Sequence, residues 1–241
     1  MNGNTNWPEP GWPSAIMPGH VIVVASGGLD STTLAYWLAS RGTRLTLLAV
    51  DYGQRHAREL QAAAQTAAAL GAVCHVADLR PLGHLLSGSA LTTDTVDVPD
   101  GHYADETMKA TVVPNRNALL LDLGVALAIT AGAQAVAYGA HAGDHFIYPD
   151  CRPGFVTAYQ QMALAANDGF LPSGFTVAAP FITMTKAGIA ALAARLSVPI
   201  GQTWSCYRGG NLHCGTCGTC TERREALTLA GVPDPTEYAA R

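Results

Sequence analysis

The chain has 241 residues, 49% hydrophobic and 13% charged, with a formal net charge of −4. This describes one folded core rather than a disordered chain, and the acidic balance argues against gripping long nucleic acid through its phosphates. No run of about 18 apolar residues marks a membrane helix, and the opening MNGNTNWPEPGWPSAIMPGH lacks the basic start and apolar core of a signal peptide. A cytoplasmic location and reduced cysteines are expected.

Residues 1–19 hold four prolines with Trp7 and Trp12 and show no periodicity. They are read as an extended arm, a disordered tail unless the two tryptophans pack on the domain or on a partner. Val21–Ala25 is predicted as a strand, Thr33–Ser40 as a helix and Leu45–Val50 as a strand ending at Asp51. An Ala-rich helix over Ala57–Leu70 is capped by Gly71, and Val73–Ala77 is a third strand. Residues 81–113 are irregular, rich in Thr, Asp and Gly, and read as an active-site loop. A helix over Asn117–Ala131, a strand over Ala135–Ala140 and helices over Tyr159–Ala166 and Thr185–Leu196 follow, with Thr185 as an N-cap.

Strands alternating with helices predict an α/β fold, a Rossmann-like parallel β-sheet with helices on both faces, over residues 20–200. A small lobe over residues 201–241 completes the chain. Ligands in such sheets bind at the carboxyl ends of the strands. That gathers Ser26–Ser31, Asp51–His56, Asp78 and His141–His145 at one edge.

The stretch VIVVASGGLDSTTLAYWL places two glycines, an acid and three hydroxyls between a strand and a helix. Backbone N–H groups at such a turn make an anion site. The hydroxyls of Ser26, Ser31 and Thr32 add donors. The string lacks the Gly-Lys-Ser/Thr of a Walker loop and is not GxGxxG. Asp30 would repel phosphate unless a metal intervenes, which suggests Mg²⁺ bridging phosphate oxygens. The bland alternative is a tight turn capped by Asp30 or Ser31. The whole string resembles the SGGxDS loop of the ATP pyrophosphatases, the PP-loop enzymes, matched by Ser26, Gly27, Gly28, Asp30 and Ser31. That resemblance implies an ATP site that includes Leu29 and Thr32, and transfer of AMP to a substrate oxygen.

Near the other end, Cys206, Cys214, Cys217 and Cys220 are spaced C-x7-C-x2-C-x2-C. Four thiolates so close, in a reduced compartment, suit a tetrahedral structural Zn²⁺ site. An Fe–S cluster is the rival, a disulfide the weaker one. Gly215 and Gly218 allow tight turns that aim amides at the sulfurs. His213 is read as a surface residue.

A PP-loop followed by a Cys₄ lobe resembles the QueC family of 7-cyano-7-deazaguanine synthases, from about residue 21 to residue 238. The strings SGGLDSTT, DYGQRH, VVPNRN, YPDCR, TWSCY with CGTC, and DPTEY carry it in order. The resemblance implies conversion of 7-carboxy-7-deazaguanine, ATP and ammonia to the nitrile, with Mg²⁺ and bound zinc. Homodimers are common among such enzymes. No glutaminase segment is evident, so free ammonia is the expected nitrogen donor.

Among 14 basic side chains only Lys109 and Lys186 are lysines. Lys186 resembles the family's lysine near the phosphates, and Lys109 sits in the irregular loop. Arg116, between Asn115 and Asn117, can present a planar fork to phosphate or carboxylate. Asp51, Tyr52, Arg55 and His56 fall where PP-loop enzymes place adenine and ribose contacts. His141, Asp144, His145, Tyr148, Asp150, Cys151 and Arg152 form the densest polar cluster. Asp144 or Asp150 is the candidate reader of the substrate's N1–H and 2-amino donors, and Arg152 a candidate for its carboxylate. Cys151 is assigned to packing. Asp30, Lys186 and Arg116 are the catalytic candidates. Three other readings stay open. They are a PP-loop tRNA thiolase, a QueC-like paralogue that joins the deazaguanine acid to a protein amine, and a non-catalytic nucleotide-binding module.

Overall fold

A computed structural model describes residues 7–55, 58–93, 95–102 and 106–239. Five strands form one parallel sheet: β1 His20–Val24, β2 Arg44–Asp51, β3 Val73–Asp78, β4 Ala135–Ala137 and β5 Thr176–Ala178. Their spatial order is β3-β2-β1-β4-β5. Ile22 sits opposite both Thr46 and Val136, so β1 is central. Chain order reverses on the two sides of β1, and a crevice opens beyond the carboxyl ends of β1 and β4.

The strands β1 and β2 read as near-continuous aliphatic runs because both faces of the sheet are covered. Val21, Val23, Leu45 and Leu47 pack on one side with Leu34, Trp37 and Leu38 of α1 (Leu29–Ser40), Ala63 and Ala67 of α2 (Arg58–Ala69) and Ile189 of α5 (Lys186–Arg195). Ile22, Leu48, Val50 and Val136 pack on the other with Leu121 and Val125 of α3 (Arg116–Ala131) and Tyr159 of α4 (Pro153–Ala166). A final helix, α6 (Gly218–Ala230), lies against α5.

Gly124 allows α3 to reach the sheet, since a Cβ there would stand 2.9 Å from Val136. The segment Met108–Ala131, contrary to the expectation that no run is apolar enough, meets the length and composition of a membrane span. It is not one helix. A 3₁₀ turn over Glu106–Thr111 is followed by irregular residues, Asn115 is left-handed at φ 55°, and α3 then packs on β1 and β4. Its apolar character comes from facing this core.

The described part of the arm packs against the domain. Trp12 lies 6.5 Å from Trp37, the Gly11 N–H donates to the Pro180 carbonyl at 2.9 Å, and Glu9 pairs with Arg195 at 2.7 Å. The tryptophans thus pack on the domain rather than trailing in a tail. The sequence pattern does not mark β5, the first turns of α4 after Pro153-Gly154, α6, or the short 3₁₀ turns, among them Arg80–Leu86 and Glu106–Thr111 within the stretch read as irregular.

Candidate active site

The turn after β1 is shaped by close packing. Gly27 has φ +74°, and a Cβ there would stand 2.3 Å from the Glu59 carbonyl oxygen and 2.8 Å from the Ala62 side chain. Only glycine lets the loop lie against α2. A Gly27→Ala variant is expected to lose at least about 2 kcal/mol of stability, from left-handed strain plus the clash. A denaturant titration checks this, and an unchanged midpoint would contradict it. Gly139 after β4 supports the same loop from the opposite side, where a Cβ would approach the Ser31 nitrogen at 3.2 Å.

The Ser26 hydroxyl meets those of Ser31 at 3.2 Å and the Gly28 N–H at 3.4 Å. Ser26, Asp30 and Ser31 line a solvent-open cleft of about 990 Å³. Leu29 and Thr32 turn inward instead. Leu29 packs with residues of α5 and α6, and the Thr32 hydroxyl meets that of Thr66 at 3.4 Å.

Asp30 stands on the first turn of α1, and its Oδ2 accepts from the Lys186 ammonium at 2.6 Å. Lys186 opens α5, whose N-cap Thr185 accepts from the Gly188 N–H. The ammonium also lies 3.2 Å from Glu222 on α6. His141 is 1% exposed, and its Nε2 lies 3.8 Å from Asp30 and 3.6 Å from Asp144. Its Nδ1 accepts the Gly143 N–H, so Nε2 carries the proton and faces the acids. Burial opposes the charge on Asp30, but Lys186, His141 and Arg223 outweigh it and hold the carboxyl below its usual range. Burial likewise opposes the charge on Lys186, and Asp30, Glu222 and Asp144 raise it above the ordinary lysine range. Asp30 Oδ1 is buried with no hydrogen-bond partner. A carboxylate oxygen in that state fits a hard cation such as Mg²⁺.

The other wall of the cleft holds Arg116, Asn117, Tyr52, Tyr148 and Tyr207. Arg116 bonds the Tyr52 phenol and lies 5.9 Å from the Tyr148 ring centre. The Tyr148 hydroxyl is fixed by Thr111 at 2.8 Å. Asn117 donates to Cys151 Sγ at 3.2 Å, and burial raises that thiol well above its usual range. Cys151 therefore stays protonated, in keeping with packing rather than nucleophilic attack.

Several candidates point elsewhere. Asp51 Oδ1 accepts from the Gly53 N–H, and its other oxygen lies 3.6 Å from Arg80. Arg55 donates to the carbonyls of Thr93 and Val96, tying down the irregular loop. Asp150 accepts the Asn117 N–H at the start of α3, so it caps that helix. Arg152 donates to the His145 carbonyl, and Asn115 and Lys109 are exposed. His56 lies outside the described residues. Gln54, Glu59, Tyr138 and Tyr207 line the cleft without having been singled out. Gln54 could have been found, since it falls inside DYGQRH. Nothing in the sequence marks Glu222.

The four candidate metal ligands converge. The sulfurs of Cys206, Cys214, Cys217 and Cys220 all lie within 4.8 Å of one another. A tetrahedral zinc with bonds of about 2.3 Å needs sulfurs about 3.8 Å apart, so one ion fits and a multi-iron cluster with its sulfides does not. The N–H of Cys217 points at Cys214 Sγ and that of Cys214 at Cys206 Sγ. Gly215, at φ +75°, makes the turn between them. Thiol donation from Cys206 and Cys220 holds Cys217 far below its usual range, as a thiolate. His213 is buried, not superficial. It accepts the Ser205 N–H and stacks on Trp204 at 4.2 Å, and burial lowers it to about 4.

A serine- and glycine-lined turn at the reversal point of a parallel sheet, with an acid and a lysine at its foot, defines a PP-loop nucleotide-binding protein. The family model described as "Queuosine biosynthesis protein QueC" matches residues 20–231, and the chain belongs to this family. A 7-cyano-7-deazaguanine synthase of Rhizobium etli is 56% identical over 91% of this chain and 92% of its own. One from Rhizobium meliloti is 57% identical over 90% and 91%. Among solved structures, an NH3-dependent NAD synthetase from Campylobacter jejuni aligns with a TM-score of 0.46 at 14% identity, covering 77% of this chain and 67% of that one.

Proposed function

We propose that the protein is an ATP-dependent, AMP-forming C–N ligase that converts 7-carboxy-7-deazaguanine and ammonia to 7-cyano-7-deazaguanine. The observation that carries this is Asp30, which lines the same cleft as Ser26, Ser31 and Arg116 and is held from behind by Lys186. The shared name of the relatives supports it. A carboxylate is a poor electrophile. Its oxygen attacks the α-phosphorus of ATP, pyrophosphate leaves, and ammonia then displaces AMP to give the amide. The amide oxygen attacks a second ATP in the same way. Loss of AMP with the remaining amide protons leaves the nitrile. Both adenylations present an oxygen to an α-phosphorus, so one constellation serves both.

The chain's task is to hold reactants in line and balance charge. In this reading the turn from Ser26 to Ser31 and the Lys186 ammonium face the pyrophosphate. Asp30 Oδ1 would hold Mg²⁺, which screens phosphate charge when bound. Arg116 takes the substrate carboxylate. Asp144 caps the turn after His141 with one oxygen and Asp150 caps α3, but of the two only Asp144 lines the cleft, so Asp144 is assigned the N1–H and 2-amino group. The cysteines hold a structural Zn²⁺. The division at residues 19/20 and 200/201 and a homodimeric assembly belong to the same proposal. The amine-conjugating alternative has no observation in its favour.

Incubation with Mg-ATP, 7-carboxy-7-deazaguanine and ammonium, followed by mass spectrometry, tests the reading. The nitrile should form with two AMP per product. AMP with the amide alone would restrict the enzyme to the first half-reaction, and no AMP would overturn the proposal.

A further inference from the structure

Lys186 is held from two sides, and one of them is the metal lobe. Its ammonium has three donors. Asp30 takes one at 2.6 Å and Glu222 lies within reach of another at 3.2 Å. All three side chains are largely covered, at 16% for Lys186, 22% for Asp30 and 13% for Glu222, so these charge-assisted contacts are not diluted by solvent. Glu222 rides on α6, which starts directly after Cys217 and carries Cys220 two residues before it. The helix is pinned beyond that point by Arg223, which is 0% exposed and donates to Thr203, Ser205, Thr236 and the Ile200 carbonyl.

We propose that Glu222 is a positioning residue for Lys186, and that the Cys₄ lobe is thereby part of the nucleotide site. With Glu222 in place, the ammonium keeps one donor for a phosphate oxygen and leaves Asp30 Oδ1 unpartnered. Without it, the ammonium is free to collapse onto both oxygens of Asp30. That collapse removes the lysine from the phosphates and the carboxylate from a cation at once. The inference rests on the nucleotide-site reading above.

The chain offers an unusually clean probe, because Lys109 and Lys186 are its only lysines. Protein grown with ¹⁵N-lysine gives two side-chain ammonium signals, assigned with a Lys109→Arg variant. Glu222→Ala and Glu222→Gln should both shift and broaden the Lys186 signal and leave that of Lys109 in place. Zinc content and melting temperature are measured alongside. Glutamine preserves size and an acceptor, so it would rescue a role of mere packing but not one of charge. Both variants should slow single-turnover AMP formation about tenfold. An unmoved Lys186 signal in Glu222→Gln would overturn the inference, even where Glu222→Ala fails to fold. The signals do not depend on turnover, so a wild-type protein that forms no AMP would sink the functional reading separately.

Discussion

Replacing Asp30 by alanine is expected to cut AMP formation by about 10²–10³-fold, the scale of losing one preorganised electrostatic contact at a reacting centre. Asp30 ties Lys186, faces the His141 ring and carries the unpartnered Oδ1 assigned to a cation, so its loss disturbs three contacts together. The fold should tolerate the change. Removing the carboxylate also removes a buried oxygen that had no partner, and Lys186 retains Glu222. Melting should therefore shift by only a few degrees, about 1 kcal/mol at this chain length. Asp30→Asn should be nearly as inactive, because the amide keeps the shape but not the charge. AMP release at the wild-type rate would remove Asp30 from the phosphate and metal assignment. A large fall in melting temperature would recast it as a structural residue.

Stripping the metal with a strong chelator is expected to loosen the C-terminal lobe while the sheet persists. Structural zinc supplies roughly 10 kcal/mol or more of folding energy in small domains. A third of that would lower the melting temperature by on the order of 10 °C. The cysteine-bearing turns depend on the cluster most, tied otherwise by the Asp100–Cys217 bridge and the Arg208–Asp100 pair, whereas α6 is also held by its packing on α5 and by Arg223. Trp204 reports on it, since its indole donates to the Cys206 carbonyl and stacks on His213. Chelation should redden its fluorescence and speed amide exchange in residues 201–239, with β1 and β2 still protected. A melting curve and exchange pattern indifferent to chelation would argue against a structural ion.

The first half of the chain was the more legible. Periodicity places β1 and β2, and the string places the Gly27-Gly28 turn, but α1 begins at Leu29 rather than Thr33, so Asp30, Ser31 and Thr32 lie on its first turn and not in the loop. The strand β5 is three residues between Gly174 and Pro180, too short to carry a pattern. The helix α6 was hidden because its mean hydropathy is low and its first turn belongs to the cysteine cluster. At the cleft, motif strings located segments but not directions. Asp51, Arg55, Asp150 and Arg152 each spend the side chain on backbone, Asp51 on its own turn and the other three on residues further off in the chain. Short polar side chains in turns satisfy nearby backbone first, and only coordinates reveal which ones do. Glu222 was invisible for another reason, since its partner lies far away in sequence.

The order of the strands sets a schedule. The central strand β1 is made well before β4, so one of its edges waits for that strand. The lysine that backs Asp30 comes later still, and Glu222 after it. Domains gain structure as they are made, N-terminal part first. The phosphate turn is therefore synthesised long before the groups that complete it. A chain cut off before α6 would carry the whole SGGLDS string but lack Glu222, and so the second partner of Lys186.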